Sequence, residues 1–236
     1  MRRIAYREVL RGASENSGRI FSVLSGDDAE LFRGFISRRL KEAWEAQFWP
    51  ELMVVEERTI ASKVIPYLAT GEEDIAAVMR ITDADPQQTH KLVDYSFNLI
   101  ASGINIPSYS ADSTTLYVSY RKKAPILNGD NWAAGTYAAG AQVYHTTLGD
   151  FYDQGDSSST ALEPDASPWE RVDIPWVFST YLQRAAAADM LLLDEKEGAL
   201  AQKAMAEDAL MLEMANLRQQ SQQTNIKIRT HRGAGA

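Results

Sequence analysis

The sequence predicts an α+β protein: a helical bundle with one very long C-terminal helix, a few β-strands and a small inserted all-β module. Three observations support this class. Apolar residues recur every three or four positions in two long segments, which is typical of amphipathic helices. Residues 115–120 alternate as a half-buried strand does. Residues 126–173 change to short β-like pieces rich in Gly, Tyr, Asp and Thr.

Two helices are predicted near the N-terminus. Residues 4–10 indicate a short first helix. Ser25, with Asp27 and Asp28 behind it, predicts the start of a second helix, because a serine hydroxyl caps free backbone N–H groups. This helix ends by Pro50, since the residue before a proline avoids the α region.

Extended segments follow the second helix. Residues 51–60, 75–82 and 92–99 are β-branched or apolar and are bounded by turn residues. Residues 115–120, TLYVSY, give the clearest strand pattern. Pro125 and Asn128-Gly129 then predict turns.

The long helix is predicted from Asp173 and Pro175, which suit a helix start, to about residue 222. It contains no proline and one glycine, Gly198, and would be about 70 Å long at 1.5 Å per residue. Such a helix needs partners along its length, so we expect it to pack on the helix at 27–49 and on a neighbouring copy. Its apolar stripe is Tyr181, Ala185, Ala188, Leu192, Ala199, Ala206, Leu210, Met214 and Leu217.

These assignments predict three regions. Residues 1–125 and 174–222 form a helical core that includes the β segment. Residues 126–173, called the module below, form the small β insert and fold independently. Residues 223–236 form a basic extended tail.

Composition limits the function classes. The net charge is −8, which argues against tight wrapping of duplex DNA. Charge is uneven, however: residues 1–11 carry four Arg against one Glu, whereas residues 194–213 carry six acids. No apolar run approaches the roughly 18 residues of a membrane span, and the N-terminus lacks the pattern of a signal peptide, so synthesis in the cytoplasm is expected.

The sequence nominates no catalytic or metal site. It has no cysteine, which excludes thiolate chemistry. Its histidines, His90, His145 and His231, lie far apart. The acids within 83–85 and 150–156 lack the closing Glu of a calcium loop. We therefore expect no enzymatic activity, cofactor or metal.

Most of the chain outside the module resembles the head-to-tail connector proteins of tailed bacteriophages, also called adaptor or neck proteins. The resemblance lies in the segments KEAWEAQFWPEL, TLYVSYRKKAP and PWVFSTYLQRAAAADMLL, and in Trp44 and the run Trp49-Pro50-Glu51-Leu52. It implies a structural virion protein, made in the bacterial cytoplasm and assembled in the neck. It also implies a homo-oligomeric ring, commonly of twelve subunits, between the portal and a tail or stopper protein. Genomic DNA would pass through without tight binding, with no catalytic residue and no membrane contact.

The module is similar to small chitin-binding-type carbohydrate modules. The matching residues are Trp132, Gly135-Thr136-Tyr137, Gly140, Val143-Tyr144, Phe151-Tyr152 and Trp169-Glu170. Two departures are Ala141, where the family has Asp, and a long Ser-rich loop before the closing Trp. The alternative function is therefore carbohydrate binding or surface recognition. Its sugar or partner contacts would be Trp132, Tyr137, Tyr144 and Trp169. The favoured alternative for Trp132, Tyr144 and Trp169 is that they form the core of the small sheet.

Two further sets of contact residues are predicted from charge. Acids on the long helix would line a channel and keep phosphates at a distance: Asp194, Glu195, Glu197, Glu207 and Asp208. Alternatively, these acids would only keep an outer wall soluble. Basic tail residues would contact the portal or a neighbouring copy: Lys227, Arg229 and Arg232.

Overall fold

The computed structural model describes residues 2–67, 75–89, 91–110, 115–138, 140–155, 164 and 169–232, with side chains of the last helix described to residue 219. The α-helices in these ranges are α1 (Tyr6–Asn16), α2 (Gly26–Glu45), α3 (Ser179–Leu193) and α4 (Ala199–Arg232). The strands are β1 (Arg3–Ile4), β2 (Met53–Thr59), β3 (Val64–Pro66), β4 (Ile75–Thr82), β5 (Asn98–Ile100), β6 (Gly103–Asn105), β7 (Thr115–Lys122), β8 (Asp130–Asn131), β9 (Gln142–His145), β10 (Asp150–Gln154), β11 (Trp169–Arg171) and β12 (Ile174–Pro175).

The α+β class is confirmed, and so are several local predictions. Ser25 caps α2, because its hydroxyl accepts a hydrogen bond from Asp28 N at 3.1 Å. The pattern at 115–120 lies in β7, and the segment 75–82 is β4. In the predicted segment 92–99, regular strand begins only at Asn98. The first helix is longer than expected and ends at Asn16.

The chain divides into two compact units at positions other than the predicted boundaries. One unit joins Met1–Gln47 to Pro125–Ala236, and the other is Phe48–Ala124. The second unit contains two three-stranded antiparallel sheets, ordered β2-β7-β4 and β3-β6-β5. Alternate residues of β7, Leu116, Val118 and Tyr120, point into its core, as the two-residue period of a strand requires.

In the first unit, α3 is the central helix. It packs against α1, α2 and α4, and its run Ala185–Ala188 is buried. Alanines leave little side chain between helix axes, so neighbouring helices approach closely. β1 pairs with β12 just before α3 and ties the N-terminus to the start of this helix.

The prediction of one very long helix is wrong, because the chain turns between α3 and α4. Asp194, Glu195 and Lys196 end α3 in a Schellman arrangement: Lys196 N donates to Leu191 O at 2.9 Å and Glu195 N donates to Leu192 O at 3.2 Å. Glu195 has a φ of 54°, in the region where glycine usually stands. Residues 194–198, called the turn segment below, therefore reverse the chain, and α4 runs back along α3.

The structure also differs from the predictions for the two ends of this helix. The helix predicted from Asp173 begins only at Ser179, because Ile174 and Pro175 form β12 and a short 3-10 helix follows. At the other end, α4 extends to Arg232 and includes most of the residues predicted as an extended tail. The described side chains of α4 cover 21 residues, to position 219.

Asp189 of α3 is the buried centre of a charged cluster. Its Oδ2 accepts from Arg39 Nε at 2.8 Å, its Oδ1 accepts from Arg39 Nη2 at 2.5 Å, and Arg38 Nη2 lies 2.8 Å from Oδ2. Glu42 accepts from Arg39 Nη1 at 2.7 Å and from the Tyr181 hydroxyl at 3.1 Å. The bidentate pair fixes the position of α2 along α3, because a planar guanidinium fits a carboxylate in one geometry.

The carboxylate form of Asp189 is favoured in the fold. Burial alone would raise its pKa, but the hydrogen bonds from Arg39 and Arg38 outweigh burial, so the pKa lies below its ordinary value. An acid whose pKa is lowered by folding stabilises the protein above its unfolded pKa. That stabilisation is lost as pH falls through the folded pKa.

Replacing Asp189 with Asn tests this cluster. We expect the free energy of unfolding at pH 7 to fall by about 3 kcal/mol, because the largely buried Arg39 loses its bidentate partner and keeps only the more exposed Glu42 as a counter-charge. Urea unfolding across a pH series measures it, and the difference from the parent should shrink below about pH 4. The control Glu8→Gln, in an exposed pair with Arg11, should cost less than about 1 kcal/mol. Equal losses in both variants would contradict the cluster's role.

Candidate functional site

The module forms a four-stranded sheet with two aromatic faces. Its strand order is β11-β10-β9-β8. In the β9–β10 pair, Val143 lies opposite Tyr152 and Tyr144 lies opposite Phe151. Because side chains alternate along a strand, the two pairs point to opposite sides of the sheet.

The first face carries three of the four predicted sugar-contact residues. Trp169 is 8% exposed and packs with Val143 and Tyr152, and Trp132 and Tyr137 pack against this cluster. The Tyr137 and Trp169 rings meet edge-on with centroids 5.2 Å apart. Trp169 therefore fills the interior of the module, and its ring is not available to stack on a sugar.

The fourth residue, Tyr144, lies on the other face, away from this cluster. Its ring packs with Phe151 and with Tyr6 of α1, with centroids 5.0 and 5.6 Å away. The Tyr6 and Phe151 rings also meet edge-on at 4.9 Å. The alternation at Val143-Tyr144 was a signal in the sequence that these two neighbours face opposite ways. The role of Tyr6 had no such local signal.

Backbone contacts join α1 to the module as well. Tyr6 N donates to Asp150 Oδ1 at 2.7 Å, and Arg7 N donates to Gly149 O at 2.8 Å. Gly149 has a φ of 76°, and a Cβ there would lie 2.6 Å from the Arg7 side chain. Burial raises the pKa of Asp150, although the Tyr6 N–H opposes the shift. The module thus shares a core with α1, which differs from the predicted self-contained insert.

The predicted channel acids fall into two groups. Asp194, Glu195 and Glu197 lie in the turn segment, whereas Glu207 and Asp208 are exposed on α4. Asp194 is bound by Arg19, whose Nη2 donates to both carboxylate oxygens at 3.0 and 2.8 Å.

Hydrogen bonds from Lys196 and Arg19 hold the pKa of Asp194 below its usual range. This acid therefore stabilises the turn. The five acids do not form one face of one helix.

A second apolar face runs along α4, opposite the face that contacts α3. The inner face carries the buried Ala199 and Ala206. The opposite side, called the outer face below, carries the exposed apolar residues Leu200, Ala204, Met211, Leu212 and Ala215, together with the charged Asp208 and Arg218. At 100° per residue the five apolar residues fall within roughly a third of the helix circumference.

The outer face is extensive for a single chain. Leu200 is 76% exposed, and Met211 and Leu212 are 58% and 61% exposed. Asp208 is the one acid that lies within this arc. An exposed leucine is ordinary on its own, but apolar side chains that share one helix face mark an interaction surface.

The basic residues predicted as portal or neighbour contacts, Lys227, Arg229 and Arg232, lie on the α4 backbone beyond position 219, where side chains are outside the described residues. Within the described ranges, no group of acids and histidines is arranged to hold a metal ion. No helix of the described chain is both long and apolar enough to cross a membrane.

Comparison with known proteins found no matching family model and no similar curated sequence.

Replacing Trp169 with Ala distinguishes a core residue from a sugar-stacking residue. We expect a loss of about 3 kcal/mol in the free energy of unfolding, because the substitution leaves a cavity in the module. The matched control is Trp176→Ala, whose indole is 52% exposed and whose loss should cost much less. Thermal and urea unfolding measure both variants. A Trp169→Ala variant as stable as the parent would show that the ring is not part of the core.

Proposed function

We propose that this protein is a structural subunit of a homo-oligomeric ring in the neck of a tailed phage, between the portal and a tail or stopper protein. In this role it works by assembly, with no catalytic step. It would be made in the bacterial cytoplasm and incorporated into the virion. The resemblance of the helical segments to adaptor proteins supports the proposal, and one structural observation carries it: the outer face of α4.

The outer face favours a protein partner. A helix that is apolar on both sides is usually covered on both sides, and α3 covers only the inner one. Covering the outer face would remove three large apolar side chains from water, at about 25 cal/mol for each Å² buried. This term favours association of the chain over an isolated subunit.

Charge and side-chain size make a second copy of this chain the occupant we infer. Asp208 lies within the outer face, and an acid in an interface needs a basic partner. The chain supplies clusters of basic residues at both ends, within 1–11 and 218–232. Ala204 and Ala215 also allow a partner helix to come close. A ring follows if such a contact joins different surfaces and its rotation closes.

The alternative function, carbohydrate binding through the four module aromatics, has weaker support. Sugar stacking requires exposed ring faces, and Trp169 is buried. Trp132 and Tyr137 pack against the same cluster. These four residues also divide between two sides of the sheet, so they do not form one binding surface.

Association through the outer face is tested with Leu200→Glu and Met211→Glu. We expect the parent chain to form a closed oligomer, and each variant to weaken the subunit contact by about 2 kcal/mol, roughly 30-fold in affinity. The matched control is Leu99→Glu, an exposed leucine in the unit Phe48–Ala124. Sedimentation velocity gives the masses, and negative-stain images show whether the particle is a ring. A parent chain that stays monomeric, or variants that assemble like the control, would contradict the proposal.

Transit of DNA is tested separately. We expect no submicromolar binding of linear duplex at about 0.15 M salt, because the chain is acidic overall and phosphate attraction is screened within about 8 Å. A gel-shift assay measures this. Tight, sequence-independent binding would instead assign the basic ends of the chain to DNA.

A further inference from the structure

A cavity of about 310 Å³ lies where α1, the start of α2 and the module meet. Tyr6 and Leu10 of α1 form one wall, and Tyr144 and Phe151 of the module form another. The first turns of α2 complete the lining. The size is at the lower end of the range of about 300–1,000 Å³ that is usual for small-molecule sites.

Tyr6 is the most unusual residue in this lining. It is 3% exposed, and within the described residues no hydrogen bond of its hydroxyl is seen, although this oxygen is not among the buried side-chain atoms that lack a partner, so it is open to the cavity. A ligand in the cavity could therefore form a hydrogen bond with this hydroxyl without displacing a protein partner. Burial is also the main reason that the pKa of Tyr6 is raised, with smaller effects from Tyr144 and Arg33, which line the same cavity. The hydroxyl therefore stays neutral at pH 7.

The rest of the lining offers donors and acceptors together. Asp27 and Glu30 supply carboxylates, Arg33 supplies a guanidinium and Asn131 supplies an amide. Arg33 is partly engaged, since its Nη1 donates to Gly129 O at 3.1 Å.

The two acids have a structural role as well, because carboxylates stabilise the positive end of a helix. That role does not involve the Tyr6 hydroxyl.

Charge narrows the class of ligand. The carboxylates of Asp27 and Glu30 would repel an anionic ligand. Arg33 would repel a strongly cationic ligand. Arg7 would do the same, because its charge also acts on Tyr144 of the lining. A purely apolar ligand would cover the Tyr6 hydroxyl without offering it a hydrogen bond. A neutral ligand with several hydroxyl groups satisfies donors and acceptors at once, and its apolar ring edges suit the aromatic walls.

We propose that this cavity binds a neutral polyhydroxylated ligand the size of one sugar ring, either a free monosaccharide or the terminal residue of a glycan. Of the four module aromatics predicted to contact sugar, only Tyr144 lines this cavity. The site is also independent of assembly, since the outer face of α4 takes no part in the cavity.

Saturation-transfer NMR on the full chain tests the site with glucose, galactose, N-acetylglucosamine and a short glycan of each as probes, and with inorganic phosphate and arginine methyl ester as charged comparisons. We expect at least one neutral sugar to bind in the millimolar range. Signal from free monosaccharides indicates a free-sugar site. Signal only from the end residue of a glycan indicates a glycan-end site.

Tyr6→Phe removes only the hydroxyl and should weaken sugar binding about tenfold. Ala29→Trp, at a lining position on α2, should fill the cavity and abolish binding, which keeps the test valid if Tyr6→Phe fails to fold. The control Tyr117→Phe, a tyrosine of β7 outside the lining, should bind as the parent does. Absence of signal from every neutral sugar at about 20 mM, preferential binding of phosphate or arginine methyl ester, or unchanged binding in Ala29→Trp would each overturn the proposal.

Discussion

The buried carboxylate of Asp189 is the constraint on which the helical unit depends. Two arginines of α2, Arg38 and Arg39, reach it from neighbouring positions, so α2 can neither slide nor rotate on α3 without losing a charge-assisted hydrogen bond. Hydrophobic contacts between alanine-rich helices specify relative position poorly, because small side chains interlock little. A buried ion pair adds little net stability but penalises every other arrangement. The other two helices of this unit, α1 and α4, pack against the α2–α3 pair.

Two consequences follow from a fixed α2–α3 pair. Arg19, between α1 and α2, binds Asp194 and so sets the place at which α3 ends and the chain reverses. The reversal lays α4 against α3 through its inner face, which leaves the outer face exposed. At the opposite end, α1 carries Tyr6 into the aromatic side of the module. The cavity is a product of this three-way contact, since no single element encloses it.

The sequence predicted those features that depend on neighbouring residues. The cap at Ser25, the alternating strand at 115–120 and the α+β class follow from local patterns, and the structure has all three. The reversal at residues 194–198 was missed because Glu195 occupies a position where glycine is the usual signal, and because the contact of Asp194 with Arg19 is a tertiary one. The packing of Tyr6 on Phe151 joins positions 145 residues apart, which no local pattern reveals. The outer face of α4 and the cavity both depend on contacts of this second kind, so no local pattern in the sequence pointed to them.

Site-specific photocrosslinking is the most direct test of a subunit interface on the outer face of α4. The chain has no cysteine, so Ala204→Cys provides a single attachment point for a benzophenone maleimide, and Thr146→Cys, exposed between β9 and β10, provides the matched control. We expect that illumination of the assembled protein crosslinks position 204 to another copy of the chain, at one contiguous segment identified by mass spectrometry, while position 146 gives no comparable product. Crosslinks from position 204 that remain within one chain would contradict this expectation.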